Sequence, residues 1–206
     1  LQTYRSIVEL QPRSLGPLLK LAASRARVGD ADGAATTLRQ ASKLAPDHEG
    51  VAADLAAGTP MHRLLQGDVG SGKTVVAALA ATIAIDAGWQ CALMAPTEIL
   101  AEQHFKKLVQ WLEPLGVQVA WLTGSRKGKG RKEQLAAVES GAAGLVIGTH
   151  AVIQGDVVFA KLGLAIVDEQ HRFGVAQRLA LRNKLESQAI EPHLLMMSAT
   201  PIPRTL

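Results

Sequence analysis

Two stretches carry residue types that could do chemistry together. The first is Gly67-Asp68-Val69-Gly70-Ser71-Gly72-Lys73-Thr74. It is a complete G-x-x-x-x-G-K-T run, flanked by a short apolar stretch at 63–66 and the Ala/Val-rich Val75-Val76-Ala77-Ala78. Strand, loop and helix thus come in the order a phosphate-binding loop requires. The glycines let successive backbone N–H groups turn inward around a β-phosphate. The following helix N-terminus adds partial positive charge. Lys73 reaches the β- and γ-phosphates as a point charge, and Thr74 offers a hydroxyl to magnesium. The bland alternative is a chance glycine-rich turn.

The second stretch is Ala165-Ile166-Val167-Asp168-Glu169-Gln170-His171. It sets an acidic pair at the end of a buried apolar strand, and in α/β sheets ligands gather at the carboxyl ends of strands. Asp168 suits a magnesium ligand, and Glu169 suits a residue that orients or deprotonates an attacking water. Alone, the pair could be an ordinary exposed strand end. Beside a phosphate loop, it reads as the other half of a site that holds a Mg2+–nucleotide and hydrolyses it.

Such a site needs a rigid scaffold, and the pattern from Met61 onward supplies one. Short apolar runs at 63–66, 91–95, 117–122, 144–148, 164–167 and 194–197 alternate with helical candidates at 73–87, 98–112, 131–140 and 175–186. Continuous apolar strands between helices predict a parallel α/β sheet covered by helices on both faces. With 48% apolar and 3% aromatic residues, its core must be aliphatic.

Residues 1–58 read differently, as helices rich in Ala and Leu. Glu9-Leu10-Gln11-Pro12 and Lys43-Leu44-Ala45-Pro46 stand 34 residues apart, the tetratricopeptide period. Leu18, Leu21 and Ala22 then fall on the packing face of one helix, Gly29-Asp30 makes the turn, and Ala34, Leu38 and Ala41 line a second helix. The expected division is 1–48 tetratricopeptide-like helices, 49–58 junction and 59–206 nucleotide-binding lobe. A plain helical hairpin is the alternative for the first part. Those helices could dock a protein partner.

The motifs together resemble the RecG family of superfamily 2 DNA helicases, from near Val51 to Leu206. The resemblance rests on 66–74, on Met94-Ala95-Pro96-Thr97-Glu98-Ile99-Leu100-Ala101-Glu102-Gln103-His104, and on Leu122-Thr123-Gly124-Ser125. Gly148-Thr149-His150-Ala151-Val152-Ile153-Gln154, Asp168-Glu169-Gln170-His171-Arg172-Phe173-Gly174-Val175 and Ser198-Ala199-Thr200-Pro201-Ile202-Pro203-Arg204-Thr205-Leu206 extend it. The translocase module of the transcription-repair coupling factor is similar, but it typically has Phe where Ser71 stands and Glu where Gln170 stands.

The resemblance implies a RecA-like first motor lobe that uses ATP and Mg2+ to move on branched or forked duplex DNA. It implies DNA-backbone contacts by Pro96, Thr97, Thr123, Gly124, Thr149 and His150. It implies coupling of nucleotide to DNA by His171, Ser198 and Thr200. Each of these Thr and Ser residues also suits a helix cap or turn. The stretch 126–132 carries five basic residues among seven and, with its glycines, reads as a mobile loop or a salt-sensitive phosphate contact.

A net charge of +4 permits nucleic-acid binding without demanding it, and the single Cys91 rules out an internal disulfide framework. No apolar run reaches membrane-spanning length and no secretory leader opens the chain, so the reading is cytoplasmic, with no membrane partner. Both ends look cut. The 206 residues contain no recognisable second lobe with its arginine finger, no wedge domain and no upstream Thr/Gln adenine motif; Gln40 lies inside the repeat-like helix. Little turnover is therefore expected from this chain alone. A scaffold in which the repeats bind a partner and the lobe is a passenger is the alternative.

Overall fold

The computed structural model describes residues 21, 37, 59–68, 71–125, 128–188 and 190–199. Leu21 and Thr37 are helical and buried. The rest of the repeat reading, the junction, and Val69, Gly70 and Thr200 lie outside the described residues.

Six strands form one parallel sheet: β1 His62–Gln66, β2 Gln90–Met94, β3 Val119–Leu122, β4 Leu145–Gly148, β5 Leu162–Asp168 and β6 His193–Ser198. Their spatial order is β1-β6-β5-β2-β4-β3. Among the described residues, the helices beside this sheet are α1 Lys73–Asp86, α2 Glu98–Leu112, α3 Lys129–Glu139 and α4 Val175–Glu186.

Side chains alternate across the sheet with the two-residue period of a strand. Cys91, Leu93, Leu145, Ile147, Leu164, Ile166, Leu195 and Met197 join the buried residues of α1 and α2 on one face. Ala92, Met94, Val146, Ala165 and Val167 join Val138 of α3 and Leu181 and Leu185 of α4 on the other. Strands buried on both faces explain why their sequences are continuously apolar. In α1 the run Val75–Ala81 is buried all round, which its small Ala side chains allow.

Two glycine positions set geometry. Gly148 ends β4 between Met94 and Leu122, where a Cβ would lie 1.7 Å from the Leu122 carbonyl oxygen. Gly116, at φ 83°, turns the chain after α2, and Val117 N–H donates back to the Leu112 carbonyl at 3.2 Å. That turn delays β3, which starts at Val119 rather than at 117.

The basic stretch departs from the loop reading. Gly128 caps α3, and Lys129, Gly130, Arg131 and Lys132 already belong to the helix, two residues earlier than expected. The helix turns Arg131 inward. Its guanidinium donates to Asp156 Oδ2 at 2.9 Å, Gln154 Oε1 at 3.2 Å and the Thr123 carbonyl at 3.4 Å. With its side chain 15% exposed, Arg131 serves the fold and is not a free phosphate contact.

Cys91 lies fully buried in β2, and desolvation pushes its thiol above the usual range. A thiol reagent should therefore leave native protein unlabelled at pH 8, with labelling appearing only along the urea unfolding transition. Rapid labelling of folded protein would contradict this burial. Among the described residues no helix is long and apolar enough to cross a membrane.

Candidate functional site

The strand register brings the two chemical stretches together. Gln66 pairs with Ser198 and Asp168 with Met197, so β1, β6 and β5 end side by side. β1 and β5 flank β6, which sets their ends roughly 10 Å apart at the usual strand spacing. The phosphate loop leaves β1, and the acidic pair ends β5. Gly67 N–H donates to the Ser198 carbonyl at 3.2 Å, and Glu169 N–H to the Met197 carbonyl at 2.8 Å. β6 thus ties both stretches to one edge.

The loop has a form suited to phosphate. Ser71 N–H donates to the Asp68 carbonyl at 3.1 Å. A Cβ on Gly67 would stand 2.6 Å from Ser71 Oγ, so a side chain there would force the Ser71 hydroxyl to turn away. Gly72, at φ 94°, starts α1 in the left-handed region and aims its N-terminus at the loop. Lys73 Nζ donates to the Gly67 and Asp68 carbonyls at 2.5 and 2.9 Å. Its ammonium is therefore held against the first two residues of the loop. A cleft of about 380 Å³ lies over these atoms, lined by Gly72, Lys73, Thr74, His104, Asp168 and Glu169 among others. The Asp168 carboxylate, the Thr74 hydroxyl and the Lys73 ammonium line this one cleft, a set that fits a magnesium–polyphosphate group.

Asp168 is 8% exposed, and its Oδ2 meets His104 Nε2 of α2 at 2.7 Å. Sequence reasoning assigned His104 no role. The signal was present: Ala101, His104, Leu108 and Leu112 share the buried stripe of α2, and one of the four is polar. Glu169 adopts φ 49°, ψ 51°, the sole left-handed non-glycine residue among the described residues. Ala199 N–H donates to Glu169 Oε1 at 3.1 Å, and His171 Nδ1 stands 3.2 Å from Oε2. Ser198 is buried, with its Oγ 3.5 Å from His171 Nδ1. The 170–172 turn and the end of β6 therefore meet at the Glu169 carboxylate.

The remaining candidates gather on the other half of the sheet, at the carboxyl ends of β2, β4 and β3. Half-buried Pro96 follows β2. Thr97 caps α2, its Oγ1 accepting from Leu100 N–H at 3.3 Å. Glu98 accepts from Ser125 N–H at 3.2 Å and from Ser125 Oγ at 2.9 Å, so it clasps the turn after β3. Thr123 is buried with Oγ1 3.1 Å from Ser125 Oγ, and Gly124 sits exposed between them. After β4, Thr149 is buried with a hydroxyl that has no partner among the described residues, while His150 is exposed. The capping alternative thus holds for Thr97, and a turn role for Thr123. Ser125 and Glu98 join the loops after β3 and β2, and Thr149 N–H, donating to the Leu122 carbonyl at 3.3 Å, ties the loop after β4 to the end of β3.

Comparisons with known proteins agree with this geometry. The sequence profile of the DEAD/DEAH box helicase family matches residues 46–206. The chain is 60% identical over 153 residues to the ATP-dependent DNA helicase RecG of Haemophilus influenzae, and 59% identical over 153 residues to that of Escherichia coli K12. Each alignment covers 74% of this chain and 22% of the relative, so the chain spans under a quarter of those proteins' length. A solved structure of RecG bound to a three-way DNA junction superposes with TM-score 0.66 at 44% identity, over 76% of this chain and 20% of that one. Saccharomyces cerevisiae Dbp5 bound to RNA and ADP BeF3 shares the fold at TM-score 0.56 and 19% identity, over 75% and 40% of the two chains.

Proposed function

The chain belongs to the DEAD/DEAH box helicase family, and from that premise we propose that it is the ATP-binding first motor lobe of a RecG-like helicase acting on branched or forked duplex DNA. One observation carries the reading: β6 joins the phosphate loop on β1 to Asp168-Glu169 on β5 along a single cleft.

In this reading residues 67–74 hold the β- and γ-phosphates, with Lys73 exchanging its loop carbonyls for phosphate oxygens. Thr74 and Asp168 would hold magnesium, which supplies charge neutralisation for phosphoryl transfer. Glu169 orients the attacking water and accepts its proton. Its carboxylate also contacts Ala199 N–H and His171, and Ser198 ends β6 beside them, which suits His171 and Ser198 to coupling; Thr200 is proposed for the same role. Pro96, Thr97, Gly124 and His150 are accessible for the proposed DNA-backbone contacts, which position without reading sequence, whereas Thr123 and Thr149 are buried and are proposed to serve that surface by shaping the loops beneath it. ATP-driven translocation, fork reversal and branch migration belong to the proposed parent activity, and a cytoplasmic site follows from it. Residues 1–48 are proposed as tetratricopeptide-like helices for a protein partner, joined through 49–58 to the lobe at 59–206.

The test is a titration of the 206-residue chain with fluorescent ADP, with and without Mg2+, followed by a forked duplex at 50 and 200 mM salt. Saturable, Mg2+-enhanced nucleotide binding is expected, with fork affinity falling steeply as salt rises. No nucleotide binding by a folded chain would overturn the assignment.

A further inference from the structure

The Asp168–His104 contact is unused by the reading above, yet it is built with care. His104 sits mid-way along α2, fixed at the helix start by the Thr97 cap and beyond by Leu108 and Leu112, 1% and 2% exposed. A leucine would serve packing at this position in the apolar stripe. A buried imidazole is tolerated because it is hydrogen-bonded. An ionised carboxylate only accepts, so Nε2 must carry the proton in this 2.7 Å bond. Both side chains are about nine-tenths buried, which limits competition from water. The bond occupies Oδ2 and leaves Oδ1 for the cleft that both residues line.

We propose that His104 is a positioning residue for Asp168: by holding Oδ2 it locks the carboxylate so that Oδ1 is presented to the divalent cation of a metal–nucleotide complex. The inference rests on the reading of the cleft as a metal–nucleotide site. The bond joins α2 to β5, 64 residues apart in sequence. It therefore makes the metal ligand's orientation depend on the seating of α2. Partners of this kind, one bond removed from a metal, typically contribute a factor of roughly 10–100 in metal affinity.

Two length-matched replacements separate positioning from packing. His104→Gln keeps an N–H donor near the place of Nε2, whereas His104→Met fills similar volume without a donor. Each full chain is loaded with ADP and titrated with Mn2+, free ion being read by electron paramagnetic resonance. ADP affinity in EDTA and the thermal melt are measured beside it. The expected result is Mn2+ binding weakened about 10–100-fold in His104→Met and recovered to within a few-fold in His104→Gln. Metal-free ADP affinity should be equal in all three. Wild-type Mn2+ affinity in His104→Met, or equal losses in both variants, would overturn the proposal. So would a His104→Met chain that fails to fold, since the bond would then be structural. If wild type itself holds no Mn2+–ADP, the nucleotide reading fails and takes this inference with it.

Discussion

Replacing Lys73 with Ala should lower affinity for Mg2+–ATP by at least about 100-fold while leaving the melt nearly unchanged. Hydrogen bonds to charged partners contribute roughly 1.5–3 kcal/mol each, and a hundredfold corresponds to about 2.7 kcal/mol. Lys73 supplies the loop's own ammonium, and Nζ is already drawn to the Gly67 and Asp68 carbonyls at 2.5 and 2.9 Å. These two bonds mark where a phosphate oxygen would take over the interaction. They contribute little to folding, because Lys73 is half-buried and water replaces it at the same carbonyls. Calorimetry with ATP on both proteins checks this, and equal affinities would remove the loop from the nucleotide site.

A second large effect is expected far from any ligand, at Gly148. In Gly148→Ala the new methyl would stand 1.7 Å from the Leu122 carbonyl oxygen and 2.9 Å from Val152 Cγ2. The oxygen is backbone in the neighbouring strand, so no side-chain rotation relieves the clash. Relief requires β3 and β4 to separate at their carboxyl ends, where Thr149 N–H also donates to that carbonyl at 3.3 Å. Overpacking in cores costs about 1–3 kcal/mol when side chains can yield; here we expect about 3 kcal/mol or more, read as a lower urea midpoint at unchanged slope. Gly155→Ala is the control. A Cβ there meets nothing within 4 Å, and its effect should stay within about 0.5 kcal/mol. A Gly148→Ala chain as stable as wild type would mean that the close approach of these strands is not real.

Six strands and four helices were legible because each depends on local pattern, and so was the place of Asp168 at the end of β5. Apolar runs at 91–95 and 164–167 could only be buried strands, and the 98–112 and 175–186 periods match α2 and α4. What sequence could not supply is spatial address. Nothing in Leu194-Leu195-Met196-Met197 says that β6 lies between β1 and β5, yet that order unites the site. Arg131 was invisible as a structural residue because its partners, Asp156, Gln154 and Thr123, lie on other elements. His104 stood within a quoted motif, but its meaning needed β5 to arrive from 64 residues away. Glycine in 126–132 suggested a loop because of its low helix propensity, which the tertiary packing of α3 overrides from Lys129 onward. Thr97 and Thr123 show the reverse limit: their hydroxyls are already used within the fold, so a motif match alone cannot separate a cap from a ligand contact.

The left-handed backbone at Glu169 places stability and proposed chemistry in opposition. An L-residue held at φ 49° costs on the order of 1–2 kcal/mol, and glycine or asparagine would sit there with less strain. Glutamate at this point therefore costs the fold more than glycine or asparagine would. Drift guided by folding alone would move the position toward the smaller residues and silence the proposed base without disturbing the sheet. Evolutionary retention of the acid would then measure selection for turnover directly. A lineage released from that selection should lose Glu169 early and keep the fold around it late.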